Sequence, residues 1–506
     1  MRKRSIPAYL IGLFCIGLPA AMAAMAAEAA ESPAASVTYD TFTPSALGTK
    51  RPYGFGLDSF FGAAVLMERS GQHSKTNPFP LLDKTIEALK NNEFEEKAFD
   101  VIVFYFARLA WNNPAVLETF RQRWERADGV ADDLLVHILY YAQEKEIMSW
   151  VQTTYRETKS AEQKETLREL LKKRNTVKIN VATFPVGTCS DIEMLWAEYL
   201  ATRDLRAVQR VIDAVAGGKT DPQGTLVRVA ASSSLAQRAG WFEDVKKLCL
   251  AQNDNSPAQH KRQWQDIVDR LKPLGDGSEV VACPIRRIPL DGIEGRGMAC
   301  GAYYPAMNDG QTDVLGAYSL SCGTITSTRI RLSEQWSLYG RFELLTSIEW
   351  LLNDGHNVGF NDQAKRLYSL EGSSRQMYIN RQSERDQARC RIILNLSAEK
   401  RKQGIIAWDW MRSVNLARSG YEVQYLSPFE ACALAISLAA DLQKTFGSWA
   451  ECGENFVLGR WYWNGSEEEK KTAETLVRKL LTDPDSPWQK YPWDMPLVQA
   501  AEAVPQ

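Results

Sequence analysis

The chain has 506 residues, 45% hydrophobic and 24% charged, the balance of an ordinary globular protein with room for about two to four domains. That composition excludes a wholly disordered chain, a collagen and a multi-span membrane protein. Sixty basic residues against 62 acidic ones leave a formal net charge of −2, without the clustered basic excess that a nucleic-acid partner requires.

Arg2, Lys3 and Arg4 precede an uncharged apolar run from Ile6 to Ala20, and Ala21-Met22-Ala23 and Ala24-Met25-Ala26 both place small residues at cleavage spacing. Residues 1–26 therefore read as a secretory signal peptide. The run is shorter than the ~20 residues a spanning helix needs, and Phe14 before Cys15 lacks the small residue of a lipid-anchoring signal. Cleavage removes three bases and no acids, taking the net charge to −5. The expectation is an exported, periplasmic protein with no membrane span after cleavage and no nucleic-acid partner.

Residues 27–78, rich in Ala, Ser, Thr, Pro and Gly, read as a flexible leader. Over 79–273 the periodicity is helical, with breaks at Asn112-Asn113-Pro114, Ala127-Asp128-Gly129 and Gly217-Gly218. Ser160 with Gln163, and Ser190 with Glu193, have the spacing of capping boxes. Short helices with tight turns predict stacked hairpins, an α-solenoid, with an irregular bundle as the alternative. The stretch Asp191 to Val215 loosely resembles the helix pairs of tetratricopeptide-type arrays.

Residues 274–325 read as an irregular joint. Ser278 to Cys283 and Ile285 to Ile288 are candidate short strands, and Gly292, Gly295, Gly297, Gly301 and Gly310 mark loops. Export permits disulfides, and one bridge is expected among Cys283, Cys300 and Cys322 in this stretch. Cys432 and Cys452 fall at different heights about the turn at Gly447, too far apart to join.

Residues 326–483 predict a second helical domain. Ala407 to Ser419 is a helix stopped by Gly420. Ser427, Pro428 and Glu430 open the next, Ser448 with Glu451 another, and Ser466 with Glu469 a last one before Asp483-Pro484. Residues 484–506 read as a tail, with Trp488 and Trp493 able to dock. The fold class is all-α.

Chemistry is sparse. There is no H-E-x-x-H, no G-x-S-x-G and no C-x2-C. The four histidines, His73, His137, His260 and His356, are far apart in sequence, so neither a metal site nor a cofactor is expected. One region stands out: seven tryptophans lie between Trp336 and Trp463, interleaved with polar residues. Its strings Gly404-Ile405-Ile406-Ala407-Trp408-Asp409, Arg412, Gly420-Tyr421, Tyr425-Leu426-Ser427 with Glu430-Ala431, Leu442-Gln443 with Phe446 and Ser448-Trp449, and Gly459-Arg460 with Trp463 and Gly465, resemble the bacterial domain-of-unknown-function family 1266. Trp336, Gly355-His356 and Phe360 fit the same pattern. Asn357 departs from it, since the family often has a basic residue there. The resemblance implies a fold unit, not a reaction.

Two readings of the polar residues stay open. In one, His356, Trp408, Asp409, Arg412, Glu430, Trp449, Arg460 and Trp463 line an aromatic pocket; His356 and Glu430 exchange protons, and Arg412 and Arg460 hold an anion by forked hydrogen bonds. In the other, Asp409–Arg412, three apart on one helix face, and Glu430–Arg460 are ion pairs tying helices together. The functional expectation is an exported interaction scaffold or binding module; the alternative is an enzyme or small-ligand receptor using that pocket. The expected partner is another protein or a small anionic ligand.

Overall fold

The computed structural model describes residues 56–91, 96–127, 129–159, 180–217, 220–271, 286–317 and 322–497, with scattered positions between 164 and 171. The signal peptide, the leader as far as residue 55, the Ser160–Gln163 box, Cys283 and the Ser278–Cys283 strand lie outside these residues. The described structure is all-α. Its only named strands, Ile288–Pro289 and Val314–Leu315, form one antiparallel pair with Ile288 opposite Leu315. No described helix is long and apolar enough to cross a membrane.

The chain divides into two compact units. The first takes its described residues from the segment ending at Phe184 and from Trp196–Ala207; the second takes them from Pro185–Leu195, Val208–Leu274 and Ala282–Gln506. The boundary expected at 273 is therefore corrected. The Pro222–Arg238 helix packs on the Arg341–Asn353 and Pro428–Thr445 helices within the second unit.

In the first unit the helices Leu57–Arg69, Phe79–Lys90, Glu96–Asn112, Pro114–Trp124, Gly129–Tyr141 and Lys145–Glu157 follow in order. The break at Asn113 is a tight corner. Its Oδ1 accepts the Ala115 and Val116 N–H groups at 3.1 and 3.4 Å, and Pro114 fills the first helical position. From Leu57 onward the leader is corrected: the Leu57–Arg69 helix buries Phe60, Phe61, Val65 and Met67. Phe60 meets Tyr105 and Phe106 with ring centroids 5.5 and 5.8 Å apart. The small residues that suggested mobility, Gly62, Ala63 and Ala64, are buried in this helix. Arg108, which interrupts the apolar run of the Glu96–Asn112 helix, makes a forked pair with buried Glu198 at 2.5 and 2.7 Å. His137 is a core-edge residue whose Nδ1 lies 2.9 Å from the Asp133 carbonyl.

The second unit is built around the Ile406–Glu422 helix, which packs on Arg341–Asn353, Gly355–Ser369, Pro428–Thr445 and Trp449–Asn464. A helix enclosed on nearly every side is usually apolar all round. This one carries Asp409, Arg412, Arg418 and Glu422, all buried, so each must find partners. Arg418 donates to the Val314, Met298 and Thr312 carbonyls, and Glu422 Oε1 accepts the Ala317 N–H at 2.9 Å. Burial pushes the Glu422 carboxyl above its usual range.

Those bonds bind the described part of the expected joint into the core, and the joint is corrected. Gly292–Ala299 is a helix lying against Pro428–Thr445. A Cβ at Gly297 would stand 2.9 Å from the Ile436 nitrogen, and one at Gly301 2.8 Å from Val414 Cγ1. These glycines allow close approach rather than turns. Cys300, at the end of this helix, is a buried free thiol that accepts an Arg296 N–H at 3.5 Å, so it makes no bridge. Cys432 and Cys452 are free thiols, as expected.

Two helix signals shift. Gly420 does not stop its helix, which runs to Glu422; a Cβ there would lie 2.5 Å from Leu344 Cδ2. The cap of the Cys189–Thr202 helix is Thr188 with Asp191, bonded reciprocally at 3.1 and 2.8 Å, not Ser190 with Glu193. Glu193 is instead buried between Arg238 and Arg341, at 2.5 and 2.6 Å. The box at Ser427 and the serine caps at Ser448 and Ser466 stand where expected. The start of the tail is docked: Trp488 stacks on Trp449 at 5.0 Å and donates Nε1–H to the Ala299 carbonyl.

Candidate functional site

The Gly355–Ser369 helix opens at a sharp turn in which Gly355 has φ +52°. Its first N–H groups have no partners within the helix and go to the Asp409 carboxylate. Oδ1 accepts from the His356 N–H at 3.1 Å and Oδ2 from the Asn357 N–H at 2.8 Å. An anion is favoured at this end of a helix. A Cβ at position 355 would lie 2.4 Å from Asp409 Oδ2, so the turn needs glycine for both φ and space. Arg412, one turn beyond Asp409, donates from Nη2 to Asp409 Oδ1 at 2.5 Å and to His356 Nδ1 at 2.8 Å. Its Nε donates to the Trp408 carbonyl at 3.1 Å.

A guanidinium can only donate. His356 Nδ1 is therefore an acceptor, and the ring proton sits on Nε2. Burial lowers the His356 pKa below 6.5 and outweighs the pull of Asp409 Oδ1 at 3.6 Å. The imidazole is neutral at pH 7, its lone pair occupied by Arg412. Around it stand the half-buried Trp336 and Trp350 and the buried Trp408. Trp350 meets His356 edge-on at 5.4 Å, and the Arg412 guanidinium lies 4.4 Å from the Trp408 ring and 5.5 Å from Trp336.

Beside this group, the Trp408 ring lies 5.2 Å from Phe456 and 5.9 Å from Trp463. Phe456 meets Tyr303 at 4.5 Å, and the Arg460 guanidinium stands 5.7 Å from the Tyr303 ring. Arg460 is paired with Glu469 at 2.6 Å. Tyr304 is half-buried, and desolvation holds its hydroxyl well above the usual phenol range despite the nearby Arg412 and Arg460 charges.

The structure thus brings together His356, Trp408, Asp409 and Arg412, with Arg460 and Trp463 adjoining, but not Glu430 or Trp449. Glu430 does not pair with Arg460. Its oxygens take Arg270 at 2.7 and 3.2 Å and the Ser427 N–H at 2.8 Å, completing the helix cap. Trp449 packs between Trp488 and Trp493 and donates Nε1–H to the Tyr491 carbonyl at 2.9 Å. The proton exchange expected between His356 and Glu430 is therefore corrected.

Sequence reasoning missed Tyr303 and Tyr304, which lie in the glycine-rich stretch read as a joint, and Asn455. The Asn357 departure has a local reason. Its Oδ1 accepts the Ile405 N–H at 2.7 Å, an acceptor that no lysine or arginine offers. Asn455 holds the same turn, accepting from the Ala407 N–H at 3.0 Å and donating to the Gly404 carbonyl at 2.9 Å. Among the described residues there is no group of three or more His, Cys, Asp or Glu able to hold a metal ion.

Fold and site together define an all-helical domain organised on a buried aspartate–arginine pair. Residues 331–493 match the family described as "Protein of unknown function (DUF1266)". The chain is similar to the uncharacterized protein YbeR of Escherichia coli (strain K12), 24% identical over 154 residues, 30% of this chain and 66% of that protein. It is similar also to the uncharacterized protein YbeU of the same organism, 28% identical over 154 residues, 30% of this chain and 63% of that protein. The chain spans a little under two thirds of the length of these curated relatives. No solved structure matches it.

Proposed function

We propose that this helical protein is a non-enzymatic binding module whose C-terminal domain recognises an anionic group. With residues 1–26 read as a signal peptide, its proposed setting is the periplasm. The observation that carries the reading is the hydrogen-bond inventory beside Arg412. Both Asp409 oxygens are already occupied. His356 Nε2–H, Arg412 Nη1 and the Tyr304 hydroxyl make no hydrogen bond among the described residues, and all three can donate. Donors without free acceptors, flanked by the half-buried Trp336 and Trp350, suit an oxyanion better than a hydroxyl-rich neutral ligand. General-base chemistry fits poorly, because the His356 lone pair faces a guanidinium and Glu430 is committed to Arg270.

The test is a tryptophan-fluorescence titration of the full chain with inorganic phosphate, sulfate and acetate. A saturable change is expected with at least one of them. His356→Ala should weaken it about tenfold, the worth of one charge-assisted hydrogen bond, while still unfolding in a single cooperative transition. No saturable response to any of the three, or equal affinity in His356→Ala, would refute the reading.

A further inference from the structure

Beneath the His356 face lies a second set of unmatched groups. Tyr303 Oη, Trp408 Nε1 and Arg460 Nε are buried and have no hydrogen-bond partner among the described residues. They belong to one cluster, since the Tyr303 and Trp408 rings both pack on Phe456 and the Arg460 guanidinium lies over Tyr303. Tyr303 is 0% exposed and Trp408 3%. Unpaired buried donors are destabilising and rare, and three in one cluster call for a guest.

The chemistry of the guest follows from the donors. An indole N–H and a guanidinium Nε–H only donate, and a phenol can do so. The guest must therefore bring acceptors. The local charge points the same way. Among the described residues Arg460 is paired only with Glu469, whose side chain is 41% exposed against 14% for the arginine. Water screens the carboxylate more than the guanidinium, so the field inside the cluster is positive on balance.

We propose that Tyr303, Trp408 and Arg460 form an interior subsite for one oxyanion head group, separate from the outer face at His356. The head group is either a free phosphate or sulfate, or the carboxylate or phosphate end of a larger molecule. Native mass spectrometry of the purified full chain distinguishes these sources, because only the second carries a larger retained mass. Thermal melting against graded phosphate, sulfate and acetate tests the subsite itself, since a ligand that binds only the folded state raises the Tm.

Tyr303→Phe removes a hydroxyl and nothing else, and Trp408→Phe removes the indole N–H. In anion-free buffer Tyr303→Phe should melt no lower than the wild type, because the deleted hydroxyl has no partner. In the His356→Ala background, which removes the outer site's share of the Tm rise and leaves the inner one's, adding Tyr303→Phe or Trp408→Phe should make the remaining rise need at least tenfold more anion. A remaining rise that Tyr303→Phe leaves unchanged overturns the proposal. So does a response lost entirely in both Tyr303→Phe and His356→Ala, which means a single site. No Tm rise together with no retained mass leaves ordered water only and overturns it as well. A response lost in His356→Ala alone supports the outer site and refutes the inner one.

Discussion

Replacing Asp409 by asparagine keeps the shape of the side chain and removes its charge. Asp409 is 1% exposed and uses both oxygens, Oδ1 for the His356 N–H and Arg412, and Oδ2 for the Asn357 N–H. Asparagine offers one acceptor oxygen, so an amide N–H must face either a backbone donor or the guanidinium. Arg412, 5% exposed, loses its carboxylate. Removing one partner of a buried ion pair costs about 3–5 kcal/mol, a large share of the ~5–15 kcal/mol that holds a typical domain together. The unsatisfied donor falls within that figure, because it comes from the same broken contact. Urea unfolding followed by tryptophan fluorescence measures the loss, and faster amide exchange at His356 and Asn357 locates it. Arg412→Met in the Asp409→Asn background should recover part of the loss, because the stranded charge is gone. A change within about 1 kcal/mol, with exchange at those two amides unaltered, would refute the reasoning.

Three other perturbations follow from the same geometry. Gly355→Ala places a side chain at φ +52° and 2.4 Å from Asp409 Oδ2; a loss of about 2 kcal/mol or more is expected in urea unfolding, and a loss under about 0.5 kcal/mol would contradict it. Trp488→Ala opens a hole against Trp449 and frees the Ala299 carbonyl, for a loss of about 3–5 kcal/mol and a shift in tryptophan emission; near-neutral stability would mean the tail is not docked. His73, 3% exposed and bonded to Tyr105 at 2.7 Å, has its pKa lowered by burial from 6.5 to about 4. The unfolded chain takes up this proton first, so stability is full above pH 6.5 and falls by about 3 kcal/mol as the pH drops to about 4, with no further loss from this group below that. Melting of wild type and His73→Met between pH 7 and 4 checks the slope, which the variant should flatten.

The parts of the candidate site legible in the sequence were those set by neighbours along the chain. Asp409 and Arg412 pair because positions three apart share a helix face. His356 joins them across 53 residues, and the sequence supplied only the Gly355-His356 string and the tryptophans around it. Tyr303 and Tyr304 carried no local signal at all. Their neighbourhood reads as loop, because glycine marks turns and close helix contacts alike, and only the Ile436 backbone and the Val414 side chain tell the two apart.

Capping shows the same division. Ser427, Pro428 and Glu430 fix the start of their helix from spacing alone, since a cap closes within four residues. That the Glu430 carboxylate then takes Arg270, rather than Arg460, is settled by a contact across 160 positions. The amino-acid order by itself determined the all-helical class and most helix starts, because those rest on short-range hydrogen bonds and a 3.6-residue period. Only the tertiary structure decided which buried charges meet, which glycines are spacers and which nitrogen of His356 holds its proton, because each depends on groups that folding alone brings within reach.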